Sequence, residues 1–423
     1  MNPPGSAKKR VCIVGSGAAG LSAAWSFSRH PDQFDVEVWD KLEQAGGVAT
    51  SIDLKDYGTY INDGVQGGSP VYRNTIQMMD QVGMKCAPIQ MKFSFGQYEN
   101  AWNNTHKTEL QERFADEIAK FEKVIKIVDK MMFIFAFVPI WVVMKMFRFS
   151  DEFANLMVYP LVALFFGTGN QSERVSAAIV TQIWLNPEAR MFNYDKERMV
   201  AEAADMIAFP KLGEFYTRLQ HQAEEAGNVK FFFNRPVGRI YRDNTKGRKV
   251  TVFNQEGDIR ESYDYIVMAC DAETALKILD KPSFLERTAL GNVEYYNDIS
   301  ITHEDEDYMN RHNDLQLKER NDQYFIHQYS PESSLMEMSF NLTNYQPQLK
   351  GFQKNIFQTI FLNDKMMDKW TIDDIDKDKI IAEKWWRQFS HAWKHFLITV
   401  PLIRFIQGSG YGTTYYCGAY TIA

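Results

Sequence analysis

Residues 11–30 read VCIVGSGAAGLSAAWSFSRH, in which Gly15, Gly17 and Gly20 form a G-x-G-x-x-G pattern directly after an apolar run. The apolar run predicts a strand, and the residues that follow predict a helix. In that context, the first glycine permits a tight turn, the second lets the backbone approach a pyrophosphate, and the third lets the helix pack on the sheet. The N-terminus of the helix directs its N–H groups and its dipole at the phosphates. The stretch therefore predicts a dinucleotide-binding βαβ unit.

The next strand, FDVEVWD, ends in Asp40, which is placed to accept hydrogen bonds from a ribose hydroxyl. This pattern alone allows NAD and FAD equally. The later glycine-rich stretches FGTGN (166–170) and GSGYG (408–412) lack the same frame or a following helix, and we interpret them as loops. A reductase with a second nucleotide site is therefore not predicted.

Further along the chain, strand and helix patterns alternate in blocks. Helices are predicted for SPVYRNTIQMMDQVG, for most of 109–225, and for DKDKIIAEKWWRQFSHAWKHF (376–396), where Trp385, Trp386 and Trp393 have the spacing of a helical core face. Strands are predicted for NVKFFFNRPVGRIYRD and RKVTVFNQEG, joined by the turn NTKG, for the start of YDYIVMACDAETALKIL, and for TTYYCGAYTIA. We interpret the charged stretch 305–322 as an exposed loop. The nucleotide-type elements thus occur at the start, the middle and the end of the chain.

Composition excludes several classes of protein. The 423 residues are 45% hydrophobic and 24% charged, which is typical of globular domains. The formal net charge of −7 provides no basic surface for nucleic acid. Four scattered cysteines and eight histidines show no metal-binding spacing, so no metal site is predicted. The N-terminus has no secretory h-region, and we expect an intracellular, cytoplasmic protein.

One apolar segment leaves two interpretations open. MMFIFAFVPIWVVM (131–144) is flanked by Lys130 and Lys145 but is too short to span a bilayer, and FANLMVYPLVALFFGTG follows it. These segments form either buried helices of a substrate domain, or a surface at 131–166 that contacts a membrane or leads a lipid to the site.

A glycine pair further along the chain, together with the motifs that follow it, indicates a family resemblance. Gly46-Gly47 lies six residues after the acid at the end of the second strand and precedes Thr50 and Ser51, and INDGV, NRPVGRI and TYYCGAY follow in order. Together these motifs resemble the flavin-dependent amine oxidase and phytoene desaturase superfamily, and more narrowly the flavoproteins that bacteria encode near cyclopropane fatty acid synthases. The resemblance implies FAD as the cofactor. It implies cofactor contacts from Gly15, Gly17, Ala18, Ala19, Gly20, Asp40, Lys41, Gly46, Gly47, Val48, Asp63, Gly64, Val237 and Gly418.

The resemblance also implies an α/β fold, in which a discontinuous Rossmann-like FAD-binding domain carries an inserted, mainly helical substrate domain and a β-sheet. We place the FAD-binding parts at 8–70, 201–290 and 401–423, and the substrate regions at 71–200 and 291–400. The sequence departs from the family pattern at Val48, where many members have arginine, and at Ala419, where they have an acid. Relatives add one more helix beyond the point that corresponds to Ala423, so we expect either that the third FAD-binding part is truncated here or that the remaining anchor suffices.

The implied activity is FAD-dependent oxidation of a hydrophobic substrate, lipid-like or an amine, with the flavin reoxidised by oxygen or another acceptor. Two alternatives are a flavin-dependent fatty acid double-bond isomerase and a flavin-binding protein without turnover. No spacing identifies a catalytic residue. His303, His327 and Tyr416 are candidates, each with a structural role as the alternative. The sequence leaves the oligomeric state open.

Overall fold

The computed structural model describes residues 7–167, 169–187, 192–203, 205–243, 249–315 and 321–421. The predicted turn NTKG lies outside these residues, as does part of the charged stretch 305–322.

Strands lie in three blocks along the described chain. They are β1 Lys9–Val14, β2 Phe34–Trp39, β3 Thr50–Leu54, β4 Thr59–Asp63, β5 Gly67–Gly68, β6 Ala87–Gln90, β7 Phe93–Phe95, β8 Trp102–Asn103, β9 Phe192–Asp195, β10 Met199–Ala203, β11 Asp205–Ala208, β12 Val229–Phe232, β13 Val237–Arg242, β14 Val250–Asn254, β15 Arg260–Tyr263, β16 Tyr265–Met268, β17 Tyr295–His303, β18 Tyr324–Gln328, β19 Met336–Asn341, β20 Phe357–Phe361, β21 Ile380–Phe389 and β22 Thr414–Tyr416.

Helices are concentrated between the first and second blocks of strands. They are α1 Ala18–Ser28, α2 Arg73–Gln81, α3 Glu109–Arg113, α4 Ala115–Lys130, α5 Met132–Phe135, α6 Ile140–Met146, α7 Asp151–Phe153, α8 Tyr159–Phe166, α9 Ala177–Leu185, α10 Leu212–Glu225, α11 Ala272–Ile278, α12 Phe284–Gly291, α13 Glu306–His312, α14 Leu342–Tyr345, α15 Val400–Ile406 and α16 Ser409–Gly412. A π-helical segment, Ala154–Val158, joins α7 to α8, and another, His395–Thr399, precedes α15. In the described part of the chain, no helix is both long and apolar enough to cross a bilayer.

A five-stranded parallel sheet collects strands from distant parts of the chain in the order β12-β2-β1-β16-β22. Its central strands are apolar on both faces, as expected of a parallel sheet that is covered on both sides. Val11 and Ile13 face the core formed with α1 and α10, whereas Cys12 and Val14 face the core formed with α11 and the β13-β14-β15 meander. The predicted discontinuous Rossmann-like domain is therefore confirmed.

A seven-stranded sheet in the order β21-β17-β20-β19-β18-β7-β8 forms the second layer of strands. Helices α3–α9 pack against it and bury the largest apolar core of the described chain. The middle of the chain is not helical throughout, since β9 and β10 pair within it and β11 pairs with β5 and β6.

The helix predicted for 376–396 is wrong over most of its length. Residues 380–389 form β21, which pairs antiparallel with β17 from Phe389 opposite Tyr295 to Ile380 opposite His303. Exposure alternates along this strand, with Lys384 and Trp386 partly buried and Trp385 54% exposed. Pairing with a distant strand, which a local pattern cannot reveal, decides the conformation.

The exposed loop predicted for 305–322 is also wrong in part. Asp305 is buried and caps α13 by accepting hydrogen bonds from the N–H groups of Asp307 and Tyr308. It also forms an ion pair with Lys379, whose Nζ lies 3.0 Å away. The acidic run therefore begins a helix because its first residue is a helix cap.

A buried ion pair attaches the last strand to the nucleotide-type domain. Glu286 on α12 is fully buried and accepts hydrogen bonds from Arg242 Nη2 at 2.9 Å and from the hydroxyls of Ser409 and Tyr416 at 2.6 Å each. Burial by itself would raise the pKa of Glu286, but these hydrogen bonds lower it to about 2. The ionised carboxylate thus connects α12, β13 and β22.

We expect Glu286→Gln to lower the free energy of unfolding by about 3 kcal/mol, because it breaks a buried ion pair. The folded pKa lies below the ordinary value of 4.5, so this stabilisation is present above pH 4.5 and is lost as the pH falls towards 2. Melting temperatures measured across that range should fall in the wild type and converge on those of the variant. Glu225→Gln, at an exposed position on α10, is the matched control. Equal melting temperatures for both variants at neutral pH would contradict the assignment.

Candidate cofactor and substrate site

The glycine-rich turn has the close approaches that its spacing predicts. Gly15 has a φ of +100°, and a Cβ at this position would lie 3.0 Å from the carbonyl oxygen of Ala269 on the neighbouring strand connection. A Cβ at Gly20 would lie 1.9 Å from the carbonyl oxygen of Gly15. Only glycine allows α1 to pack this closely on the end of β1.

The glycine-rich turn and the Gly46-Gly47 pair face each other across a narrow cradle. The N–H of Gly46 donates to the carbonyl of Ser16 at 3.0 Å, and a Cβ at Gly47 would lie 3.1 Å from Cα of Gly17. A Cβ at Gly17 would meet only Gly47 Cα, at 3.9 Å, and would otherwise project into open space.

The N-terminus of α1 opens at this cradle. Within the described structure, no side chain caps its first turn, and that turn contains no acid. The free N–H groups and the positive end of the helix dipole therefore suit a bound anion. Together with the cradle that a Cβ at Gly17 would fill, they fit the pyrophosphate of a dinucleotide.

Asp40 lies at the end of β2, beside this turn, and is buried. Its Oδ2 accepts hydrogen bonds from the N–H and the hydroxyl of Ser16 at 2.5 and 2.7 Å, and its Oδ1 accepts from the N–H of Leu42 at 2.8 Å. A carboxylate has about four acceptor positions. One of them is free for the predicted ribose contact, and the Ser16 bonds fix the orientation of the side chain.

The other predicted cofactor contacts lie around the same end of the parallel sheet. Ala18 and Ala19 are in the first turn of α1, and Lys41 and Val48 are exposed near the cradle. The segment that leads to Val237 hydrogen-bonds to the Asp40 segment, through Arg235 N–H to the Asp40 carbonyl at 2.8 Å. Gly418 lies beside Cys270, just beyond β22. The structure thus brings these segments together, and their individual contacts with FAD stay predictions.

Asp63 and Gly64 lie where this domain meets the seven-stranded sheet. Asp63 is 1% exposed, accepts a hydrogen bond from Gln358 Nε2 at 2.7 Å, and forms an ion pair with Lys384, whose Nζ lies 3.0 Å from Oδ2. Lys384 also donates to the Val48 carbonyl at 3.1 Å and to the Thr50 hydroxyl at 2.7 Å. The ammonium group of Lys384 on β21 therefore lies beside Val48, the position at which the family pattern has arginine.

Trp386 covers Gly64. This glycine has a φ of +84°, and a Cβ here would lie 1.2 Å from Cη2 of the indole. The indole N–H donates to the hydroxyl of Ser300 at 2.8 Å, which fixes the ring orientation. A helical interpretation of 376–396 does not predict that Lys384 and Trp386 reach Asp63 and Gly64. The β-branched and aromatic residues of IIAEKWWRQF, which favour strands, are the sequence signal that could have indicated β21.

A cavity of about 260 Å³ opens beside Gly64. Most of its wall is apolar or aromatic, and includes Met91, Leu164, Phe165, Met206, Tyr324 and Tyr345. Its described lining residues include no histidine, lysine, arginine or carboxylate. Burial raises the pKa of Tyr324 and of Tyr345, so that both phenols stay protonated.

One glutamine contributes its amide to the cavity wall and is hydrogen-bonded to two further glutamines. Gln66, which lines the cavity, donates to Gln358 Oε1 at 2.9 Å and accepts from Gln346. Gln346 in turn bridges the backbone of Asn62, with bonds of 2.8 and 3.0 Å. These glutamines come from three separate segments, so no local motif indicated them.

The candidate catalytic residues lie elsewhere. His303 is buried between the Thr359 hydroxyl and the Asp305 N–H, at 3.0 and 3.2 Å, and burial lowers its pKa to about 4. His327 hydrogen-bonds to the His312 carbonyl at 2.9 Å, and Tyr416 to Glu286. None of the three is among the described residues that line the cavity, and their proposed roles stay predictions.

We expect Gly17→Ala to weaken FAD binding about tenfold or more and to leave the melting temperature of the cofactor-free protein unchanged. The added methyl group meets no protein atom closer than 3.9 Å, but it occupies the cradle. Titration of FAD fluorescence measures the affinity. Gly291→Ala, in the last turn of α12, is the control. Equal FAD affinity for the two variants would contradict the location of the site.

The family model for flavin containing amine oxidoreductases matches residues 18–394. Among curated protein sequences, none matches the chain.

Solved structures with the same fold include a protein assigned as a protoporphyrinogen oxidase from Exiguobacterium sp. 255-15, with 12% identity, a TM-score of 0.65, and coverage of 98% of this chain and 95% of that one. A fatty acid isomerase from P. acnes that produces CLA has 15% identity and a TM-score of 0.64, with coverage of 97% and 93%. Cyclohexylamine oxidase from Brevibacterium oxydans IH-35A has 11% identity and a TM-score of 0.65, with coverage of 98% and 94%.

Proposed function

The chain belongs to the flavin-containing amine oxidoreductase family, and from this membership we propose that it oxidises a hydrophobic small molecule in the cavity beside Gly64. It is an FAD-dependent oxidoreductase, as the family is defined. Bound FAD supplies the two-electron oxidising group of such an enzyme. The narrower link to flavoproteins encoded near cyclopropane fatty acid synthases stays a prediction.

The character of the cavity carries the proposal. It adjoins Gly64, which the family resemblance places near the flavin, and its described lining carries no formal charge. An ionised substrate would lose hydration here without gaining a partner charge. A lipid-like molecule, or an amine in its neutral form, meets no such cost.

The chain's own residues would position the substrate and exclude water. Met91, Leu164 and Phe165 offer an adaptable apolar wall, and the Gln66 amide offers one polar contact. With the phenols protonated and no histidine or carboxylate in the described lining, the cavity favours positioning over proton removal by a side-chain base.

A second candidate function is a double-bond shift in an unsaturated fatty acid. An uncharged, apolar cavity suits an acyl chain, and one protein of the same fold is a fatty acid isomerase. Such a reaction is redox-neutral overall, so it can be distinguished from oxidation by its oxygen use.

A further part of the proposal concerns membrane contact at another face of the molecule. We include in the proposal that part of the segment 131–166 contacts a membrane, and that the protein is otherwise cytoplasmic.

Anaerobic titration of the FAD-loaded protein with hydrophobic amines and with unsaturated fatty acids tests the function. Oxidation predicts loss of the visible flavin absorbance, with recovery when oxygen is admitted. Isomerisation predicts a shifted double bond without oxygen use. Protein that takes up no FAD would contradict the proposal, and so would FAD-loaded protein that converts neither class of compound.

Filling the cavity should impair turnover selectively. Val71 is a half-buried residue of the cavity wall, and we expect Val71→Trp to lower kcat/KM at least tenfold for a bulky hydrophobic substrate, because the larger side chain occupies the substrate volume. Val71→Ala is the matched control and should keep or increase turnover. The flavin spectrum of both variants should match the wild type. Unchanged kcat/KM in Val71→Trp would show that the substrate binds elsewhere.

A further inference from the structure

An unusual density of exposed apolar side chains covers the end of α4 and the outer side of α5 and α6. We call this surface the docking face. It consists of Ile127, Met131, Met132, Phe133, Ile134, Phe137, Trp141 and Met146, each at least 40% exposed, with Phe133 at 74%. A contiguous exposed patch of this kind marks an interaction site in a folded protein.

The docking face is not a poorly packed part of the core. On the inner side of the same helices, Phe135, Ile140, Val143 and Met144 are each at most 5% exposed and belong to the main apolar core. The second apolar segment behaves differently, because 153–164 is buried almost throughout. The helices at 127–146 are thus apolar on both sides, and among the described residues only one side is covered.

Exposed cations lie along the same stretch of chain as the docking face. Lys123, Lys126, Lys130, Lys145 and Arg148 are exposed, whereas Asp129 is the only carboxylate between residues 123 and 148. Lys126 and Lys145 pair with Glu122 and Asp151. Lys123, Lys130 and Arg148 form no ion pair with any other described residue. This local excess of positive charge occurs in a chain whose net charge is −7.

We infer that the docking face binds the surface of an anionic phospholipid bilayer. Apolar and aromatic side chains such as Phe133 and Trp141 would enter the boundary between headgroups and acyl chains, while the lysines contact lipid phosphates. A second copy of the chain fits this face less well, because a symmetric contact would bring the same cations together.

The docking face and the cavity share one core. Phe135 and Ile140, beneath the docking face, belong to the same apolar cluster as Leu164 and Met206, which line the cavity. A continuous apolar core between such a face and such a cavity suits an enzyme that takes a substrate from a membrane. The inference deepens the membrane contact included in the proposed function but does not rest on the proposed oxidation. Vesicle binding requires no turnover, so failure of the binding and failure of the oxidation can be recognised separately.

Co-sedimentation of the FAD-loaded full chain with vesicles tests the inference. We expect binding to vesicles of phosphatidylcholine mixed with phosphatidylserine, about tenfold or more tighter than to phosphatidylcholine alone, and weaker at high salt. The double variant Phe133→Ser, Trp141→Ser should lose binding. Phe284→Ser is the matched control, since Phe284 is also 74% exposed but lies on α12.

A second pair of variants tests the charges. Lys123→Gln with Lys130→Gln should remove most of the preference for anionic vesicles, whereas Lys277→Gln, at an exposed position on α11, should not. Wild-type protein that binds neither vesicle, or Phe133→Ser, Trp141→Ser protein that binds as well as Phe284→Ser protein, would overturn the inference. The inference would also be overturned if the wild type is a dimer that does not bind vesicles and the Phe133→Ser, Trp141→Ser variant is a monomer. The face would then be an interface between two copies.

Discussion

The buried carboxylate of Asp63 is the constraint on which the arrangement of the two main sheets depends. A charge that is 1% exposed requires a cation and hydrogen-bond donors inside the protein. Lys384 provides the cation on β21, and Gln358 donates from β20, 295 residues further along the chain than Asp63. The glycine-rich segments and the seven-stranded sheet are therefore joined where this charge is neutralised, and loss of either partner would leave a buried group uncompensated.

This junction also determines the character of the candidate site. The lysine that neutralises Asp63 holds the Val48 carbonyl and the Thr50 hydroxyl, so the strand after the Gly46-Gly47 pair is fixed relative to the cavity. Two residues along β21, Trp386 rests on Gly64, where no other residue type would leave room for the indole. The described cavity lining beside Gly64 excludes Asp63 and Lys384, and it consists of apolar, aromatic, hydroxyl and amide groups. That lining suits a flavoenzyme with a hydrophobic substrate.

The sequence predicts those parts of the site that are local. Gly15, Gly17 and Gly20 lie within six residues, and their strand, turn and helix follow one another directly, so spacing alone identifies their roles. Lys384 and Trp386 could not be found in this way, because β21 takes its conformation from β17, which lies about 80 residues earlier. Periodicity also fails to show which side of an apolar helix is covered. Packing buries Phe135 and leaves Phe133 exposed, although both belong to the same short helix.

We propose that the cradle between Gly17 and Gly47 holds FAD, with the cavity beside Gly64 available to substrate. A crystal structure of the protein grown with FAD tests this proposal most directly. We predict density for the pyrophosphate at the N-terminus of α1, between Gly17 and the Gly46-Gly47 pair, and an intact ion pair between Asp63 and Lys384. Density for FAD at another place, or an empty cradle in crystals of protein saturated with FAD, would contradict it.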